Sequence, residues 1–303
     1  MKILLTGASG LVGSAFARLA SASGHEVFGV VGRWSEIVFG VTGLLARDLS
    51  DPAQAQALVQ GIHPACIINA AAISEPAACE ADPARSQQVN VDFPVALAVV
   101  AAQARVRLIH LSSEQVFDGE SAPYRPGDAV RPLNLYGRQK AEAEARVLAA
   151  DKHAAVVRLP LLFGNSLTGR RSVHEKFFEL WAAGKTAGLF VDERRQVCSA
   201  ASVAAMLLAL AARRDLHGIF HWAGAESVSR HEMGQAICRQ FGVDEKWIRA
   251  QRRAELPEFA AKRPRDLSLD CAPLDRELGL PREKFAEAIT QLVRPAWARE
   301  LEL

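Results

Sequence analysis

Over roughly its first 160 residues the chain alternates short apolar runs with longer stretches in which apolar residues recur three and four positions apart. The runs at 2–6, 26–31, 44–47, 65–69, 107–112 and 154–159 predict strands. The stretches 11–21, 52–60, 83–104 and 134–150 predict helices. Asp51-Pro52 and Asp82-Pro83 each place a capping carboxylate before a proline at the first helical position. Strand alternating with helix implies a parallel sheet covered on both faces, a doubly wound α/β fold.

Beyond Gly164 the alternation degrades. A polar loop spans 165–171, helices are expected at 172–183 and 199–212, a strand at 219–222, a helix opened by Ser229 at 229–241, and a last helix at 282–293. This pattern predicts a first domain over 1–164, to which 196–222 returns, and a smaller α+β substrate region over 165–195 and 223–303.

Composition narrows the picture by exclusion. The 303 residues are 50% hydrophobic and 23% charged, enough for a substantial core. Lys and Arg number 36 against 34 Asp and Glu, mixed along the chain, which argues against a nucleic acid or an acidic membrane as partner. The longest apolar runs, such as 200–212, fall short of the roughly 20 residues that span a bilayer. Met1-Lys2-Ile3 leads straight into a glycine turn, so no leader is expected. Cys66, Cys79, Cys198, Cys238 and Cys271 show no C-x-x-C spacing and no histidine at zinc spacing. Buried thiols in a reducing cytoplasm, and no metal site, are the expectation.

The turn itself reads Thr6-Gly7-Ala8-Ser9-Gly10-Leu11-Val12-Gly13, between a strand and a helix. Gly7 permits the tight turn, Gly10 lets the backbone approach a pyrophosphate, and Gly13 lets helix and strand pack closely, with the helix N-terminus facing the phosphates. That is the dinucleotide-binding turn of a Rossmann-type sheet. After the second strand, where an NAD-preferring site offers a carboxylate to the ribose, this chain has Val31-Gly32-Arg33. The arginine fits a 2′-phosphate, so NADP is favoured and NAD stays open, the alternative being a solvated Arg33. Asp48-Leu49 follows the third strand, where Asp48 either accepts from an adenine amine or caps the next helix. Ala70-Ala71-Ala72 offers small residues beside a cofactor, and Asn90 is a candidate partner for backbone or water near it.

The chemistry gathers further along. Ser112 and Ser113 end a strand, on the side where open α/β sheets place their ligands. Tyr136 and Lys140 stand four apart on a predicted helix and so share a face. An ammonium under a phenol is expected to lower its pKa and to prepare it to protonate a carbonyl oxygen while hydride arrives at carbon. Arg158, Arg194 and Arg195 are either phosphate clamps or surface ion pairs. His110 and His221-Trp222 read as packing, and Tyr124 lacks a lysine four residues on.

In order and in context, the glycine turn, Ser113 and the Tyr136/Lys140 pair resemble the extended short-chain dehydrogenase/reductase superfamily. Ser-Ser-x-x-Val-Phe-Asp-Gly at 112–119, Pro123-Tyr124, Pro132 to Gly137, Arg158 to Gly164 and Arg263-Pro264-Arg265-Asp266 to Asp270 are similar to the dTDP-4-dehydrorhamnose reductase family. Gly218-Ile219-Phe220-His221-Trp222 and the 263–271 stretch also resemble the methionine adenosyltransferase β subunit, a regulatory member of that family. The resemblance spans nearly the whole chain. It implies Tyr136 as acid, Lys140 on the nicotinamide ribose, Ser113 on the carbonyl, Gly7 to Gly13 and Ser112 at the cofactor, and Arg263 at the substrate. The implied reaction is reduction of the C4 keto group of a dTDP-linked 6-deoxy sugar, a step of dTDP-rhamnose biosynthesis, and a homodimer is left open as the assembly. The alternatives are a non-catalytic dinucleotide-binding partner of the methionine adenosyltransferase catalytic subunit, and a nucleotide-sugar epimerase or dehydratase. Two departures concern the sugar: Glu114-Gln115 stands where the family commonly has Asp-Tyr, and Leu161 stands at the position of a tryptophan.

Overall fold

The computed structural model describes residues 1–32, 34 and 36–301. The first half runs β1 (Lys2–Thr6), α1 (Leu11–Ala22), β2 (Glu26–Val31), β3 (Gly43–Ala46), α2 (Gln54–Ile62), β4 (Cys66–Asn69), α3 (Pro76–Ala81), α4 (Pro83–Gln87), α5 (Phe93–Ala104), β5 (Arg107–Ser113), α6 (Leu135–Ala150) and β6 (Ala155–Leu159). Then follow β7 (Leu162–Phe163), α7 (Val173–Ala182), β8 (Ala187–Phe190), β9 (Arg194–Arg195), β10 (Cys198–Ser199), α8 (Ala200–Ala212) and β11 (Gly218–His221). The chain closes with β12 (Val228–Ser229), α9 (Arg230–Phe241), β13 (Ile248–Gln251), α10 (Pro257–Ala260), α11 (Ala272–Leu278) and α12 (Phe285–Thr290).

Seven parallel strands form the main sheet in the order β11-β6-β5-β4-β1-β2-β3. The fold is therefore the Rossmann-type doubly wound sheet the alternating pattern predicts. Strand order reverses between β1 and β4, and in such sheets the crevice beyond the carboxyl ends at that point takes the ligand. Because strand side chains alternate between faces, Ile3 and Leu5 join Phe16, Val157, Leu207 and Trp222 on the side of α1 and α8. Leu4 joins Ile67, Phe93, Leu97, Leu108 and Val147 on the other side, under α2, α5 and α6.

The expected single helix over 83–104 is widened in its middle, where Gln88–Asp92 form a π-turn between α4 and α5. Pro94 follows, and its missing N–H cannot complete a normal helical bond, so the irregularity sits where the ladder is already broken. The last helix is shorter than the expected 282–293 and covers Phe285–Thr290. Short pairs β10/β7, β12/β9 and β13/β8 carry no periodicity long enough to read in sequence, yet they organise the C-terminal region. Its own core holds Phe163, Phe178, Trp181, Met233, Ile237 and Ile289. A strap joins the two parts: the Tyr124 amide donates to Ser268 O at 2.8 Å and the Asp270 amide to Tyr124 O at 2.7 Å. Among the described residues no helix is long and apolar enough to cross a membrane.

Candidate active site

The glycine turn lies at the carboxyl end of β1, beside β4. Gly7 has φ +68°, and a Cβ there would sit 2.7 Å from Ala70 O and 2.8 Å from the Ala71 amide. A Cβ on Gly13 would lie 2.2 Å from Gly7 O. Gly10 precedes α1 in extended conformation, and no side chain caps that helix. Its first amides and its dipole thus remain for an anion, with no acidic residue in the first turn to compete. These features fit a dinucleotide pyrophosphate lying over Gly7, Ala8, Ser9, Gly10, Leu11, Val12 and Gly13.

Hydrogen bonds tie the strand ends beneath it. Thr6 Oγ1 donates to Asn69 Oδ1 at 2.6 Å, the Ala71 amide donates to Thr6 Oγ1 at 3.2 Å, and Asn69 Nδ2 lies 2.9 Å from His110 Nδ1. Burial holds His110 well below its ordinary pKa, so it is a neutral member of this lattice. Asn90 clamps the loop after β4, accepting from the Ile73 amide at 2.9 Å and donating to Ile73 O at 3.0 Å and Gln139 Oε1 at 2.9 Å. Asp48 is exposed and does not cap α2; it accepts from Ser50 N and from Arg85 Nη2 at 3.2 Å, while Leu49 is buried. Arg33 lies outside the described residues.

Ser113, the last residue of β5, faces the start of α6. Asn134 caps that helix, accepting from the Gly137 amide at 2.9 Å. A Cβ on Gly137 would lie 2.2 Å from Gln115 O, so only glycine after Tyr136 lets α6 begin this close to the turn that follows Ser113. Tyr136, Lys140 and Glu144 then succeed one another at four-residue steps, all buried. Lys140 Nζ donates to Leu111 O at 2.8 Å. Burial pushes Lys140 down to about 8, with Glu144 pulling the other way.

The phenol does not follow the expected direction. Burial holds Tyr136 above its ordinary pKa, against an opposing hydrogen bond from the Ser113 hydroxyl, and the neighbouring Glu114 and Cys79 raise it further. The expected lowering by Lys140 fails because burial of the phenol dominates, while the ammonium is directed to the Leu111 carbonyl. The phenol is therefore a protonated donor near neutral pH.

Ser112 donates its hydroxyl to Glu144 Oε1. Glu144 in turn receives Arg158 through two bonds, at 2.9 and 2.7 Å. Arg158 is 2% exposed, so it anchors α6 to β6 and is no phosphate clamp. Arg194 donates to Ser227 O and lies near Glu232.

A buried charge cluster next to Glu114 is assembled from distant segments. Glu193 is 1% exposed and receives Arg263 through two bonds of 2.8 Å, with Arg195 at 3.2 Å and Arg230 at 3.8 Å. Although burial alone would raise it, these three arginines hold Glu193 below the usual carboxylate range. Arg195 also reaches Glu114 Oε1 at 3.2 Å. Burial nevertheless pushes Glu114 up to about 8, and its Oε2 has no hydrogen-bond partner among the described residues. Sequence reasoning singled out Arg195 and Arg263 but missed Glu193, Arg230 and Glu144. Only Glu144 left a signal, as the third member of the four-residue series begun by Tyr136 and Lys140.

A profile of the family described as RmlD substrate binding domain matches residues 1–297. The chain belongs to that family, within the extended short-chain dehydrogenases/reductases. Among curated relatives, the methionine adenosyltransferase 2 subunit beta of Pongo abelii is 32% identical, over 90% of this chain and 81% of its own length. The probable low-salt glycan biosynthesis reductase Agl14 of Haloferax volcanii is 31% identical over 96% of this chain and 97% of its own. Among solved structures, a hypothetical dTDP-4-dehydrorhamnose reductase from Sulfolobus tokodaii has a TM-score of 0.82 at 28% identity, covering 97% of this chain and all of the other. The dTDP-4-dehydrorhamnose reductase of Bacillus anthracis, crystallised with NADP, shares the fold with a TM-score of 0.81 at 20% identity, over 96% and 97% of the two chains.

Proposed function

We propose that this RmlD-family chain is an NADP-dependent reductase of the 4-keto group of a nucleotide-linked 6-deoxy sugar, with NAD as a possible substitute. The observation that carries the reading is the buried Tyr136 and Lys140 on one face of α6, beside Ser113 at the carboxyl end of β5. The glycine turn, with its tight approach to Ala70 and its uncapped helix, fits a dinucleotide. Bound there, the nicotinamide supplies hydride to the sugar carbon. Tyr136 holds the proton that the carbonyl oxygen takes up, Ser113 donates to that oxygen, and Lys140 binds the nicotinamide ribose.

The far wall supports a nucleotide diphosphate. Arg195, Arg230 and Arg263 face one ionised carboxylate, Glu193, while Glu114 holds its proton near neutral pH. The unbalanced positive charge complements a dianionic diphosphate. The test is NADPH oxidation by the purified chain with a panel of dTDP-4-keto-6-deoxy sugars. Turnover is expected, and Tyr136→Phe should cut it about 10²–10⁴-fold with NADPH affinity retained. Binding of NADPH without turnover in either protein would contradict the reading. A second reading rests on the 32% identity to methionine adenosyltransferase 2 subunit beta: a dinucleotide-binding regulatory subunit. Association with a methionine adenosyltransferase catalytic subunit, with altered kinetics of that enzyme, would favour it.

A further inference from the structure

The main sheet carries a cavity at its other end. Opposite the glycine turn, at the amino ends of β5 and β6, a cavity of about 680 Å³ opens between α5, α6 and the loop after α8. That volume is within the range of small-molecule sites. The two helices contribute an apolar side through Ala101, Ala102, Ala149 and Ala150. The rest is strongly basic: Arg105, Arg107, Lys152 and Arg214 line it against a single carboxylate, Asp151.

Among the described residues, the hydrogen bonds of Arg107 and Arg214 go to backbone carbonyls. Arg107 is 5% exposed and donates from Nη1 to His153 O at 2.8 Å and from Nη2 to Leu216 O, and its Nε, closed to solvent, has no partner among the described residues. Arg214 Nη2 lies 3.3 Å from Arg105 O and 3.4 Å from Ala65 O. Asp151 accepts from the His153 amide at 2.9 Å, and nearby Asp215 is held by Arg213 at 2.6 Å. Three arginines and a lysine thus line a cavity that holds one carboxylate, Asp151.

We propose that this cavity binds a small organic anion, a phosphate or carboxylate head group on an apolar body. The head accepts from Arg214 and Lys152, next to the buried guanidinium of Arg107, and the body lies on the alanines of α5 and α6. The site is separate from the catalytic cleft: Arg107 begins the strand that Ser113 ends, about 20 Å away at the rise of a strand.

Calorimetric titration of the full chain, with NADPH present to occupy the glycine turn, tests this. The probes are phenyl phosphate, benzoate, inorganic phosphate and benzyl alcohol. Phenyl phosphate or benzoate should bind, and the tighter of the two identifies the head group. Inorganic phosphate should bind more weakly, and benzyl alcohol should not bind. Arg214→Glu and Lys152→Glu, both at exposed positions, should each weaken binding about tenfold or more, whereas Tyr136→Phe should not. Failure of both aromatic anions to bind at millimolar concentration, or unchanged affinity in both charge reversals, would overturn the proposal.

Discussion

The two walls of the proposed cleft are built on different principles. At the cofactor wall, Gly7 to Gly13 form one uninterrupted segment whose geometry is set by contacts within the segment and with the next strand end. At the proposed substrate wall, Glu114, Glu193, Arg195, Arg230 and Arg263 come from four separate stretches and meet only because the sheet, the short β9/β12 pair and the 263–271 strap bring them together. The first wall is steric, relying on absent side chains. The second is electrostatic, relying on a buried carboxylate shared among arginines. A wall of the first kind fails when an atom is added, and one of the second kind when a charge is removed.

Removing the charge should have the larger effect. Glu193→Gln deletes the carboxylate that Arg263, Arg195 and Arg230 share, and it should cost about 3 kcal/mol, read as a lower urea midpoint at unchanged slope. A midpoint equal to wild type would show that the wall does not depend on this group. Adding an atom comes next. Gly13→Ala places a Cβ 2.2 Å from Gly7 O and should cost about 1–3 kcal/mol while weakening NADPH binding. Affinity unchanged by that methyl would break the steric account of the cofactor wall.

The smallest effect is pH-dependent. Glu114 has its pKa raised in the folded protein to about 8, above the ordinary carboxylate value, so the folded state holds the proton more tightly than the unfolded state. Its contribution is fully present below the unfolded pKa and is lost as pH rises through about 8. Glu114→Gln has no proton to lose. Between pH 5 and pH 9 wild type should therefore lose about 1 kcal/mol or more of stability relative to the variant. Parallel stability profiles would contradict this.

The contrast explains what the sequence makes legible. The glycine turn, the strand-helix alternation and the Tyr136/Lys140 spacing are local patterns, so their elements stand where the periodicity puts them. The π-turn at Gln88–Asp92 escapes because its cause, Asn90 clamped to Ile73 beside Pro94, is tertiary. Glu193 and Arg230 escape for the same reason, since in sequence each is one charged residue among many. The direction of the Tyr136 pKa escapes because spacing reveals the neighbour and not the burial, and here burial wins. Arg158 misleads in the opposite way, as a candidate clamp that the fold spends on Glu144.

The central claim, that Tyr136 protonates a sugar carbonyl as hydride reaches its carbon, is tested most directly by mass spectrometry of the product formed with NADPH deuterated at the transferring position. The account predicts one deuterium at C4 of a dTDP-linked 6-deoxy sugar with wild type, and formation of that product slowed about 10²–10⁴-fold in Tyr136→Phe. A product without deuterium, or equal rates in the two proteins, would contradict it.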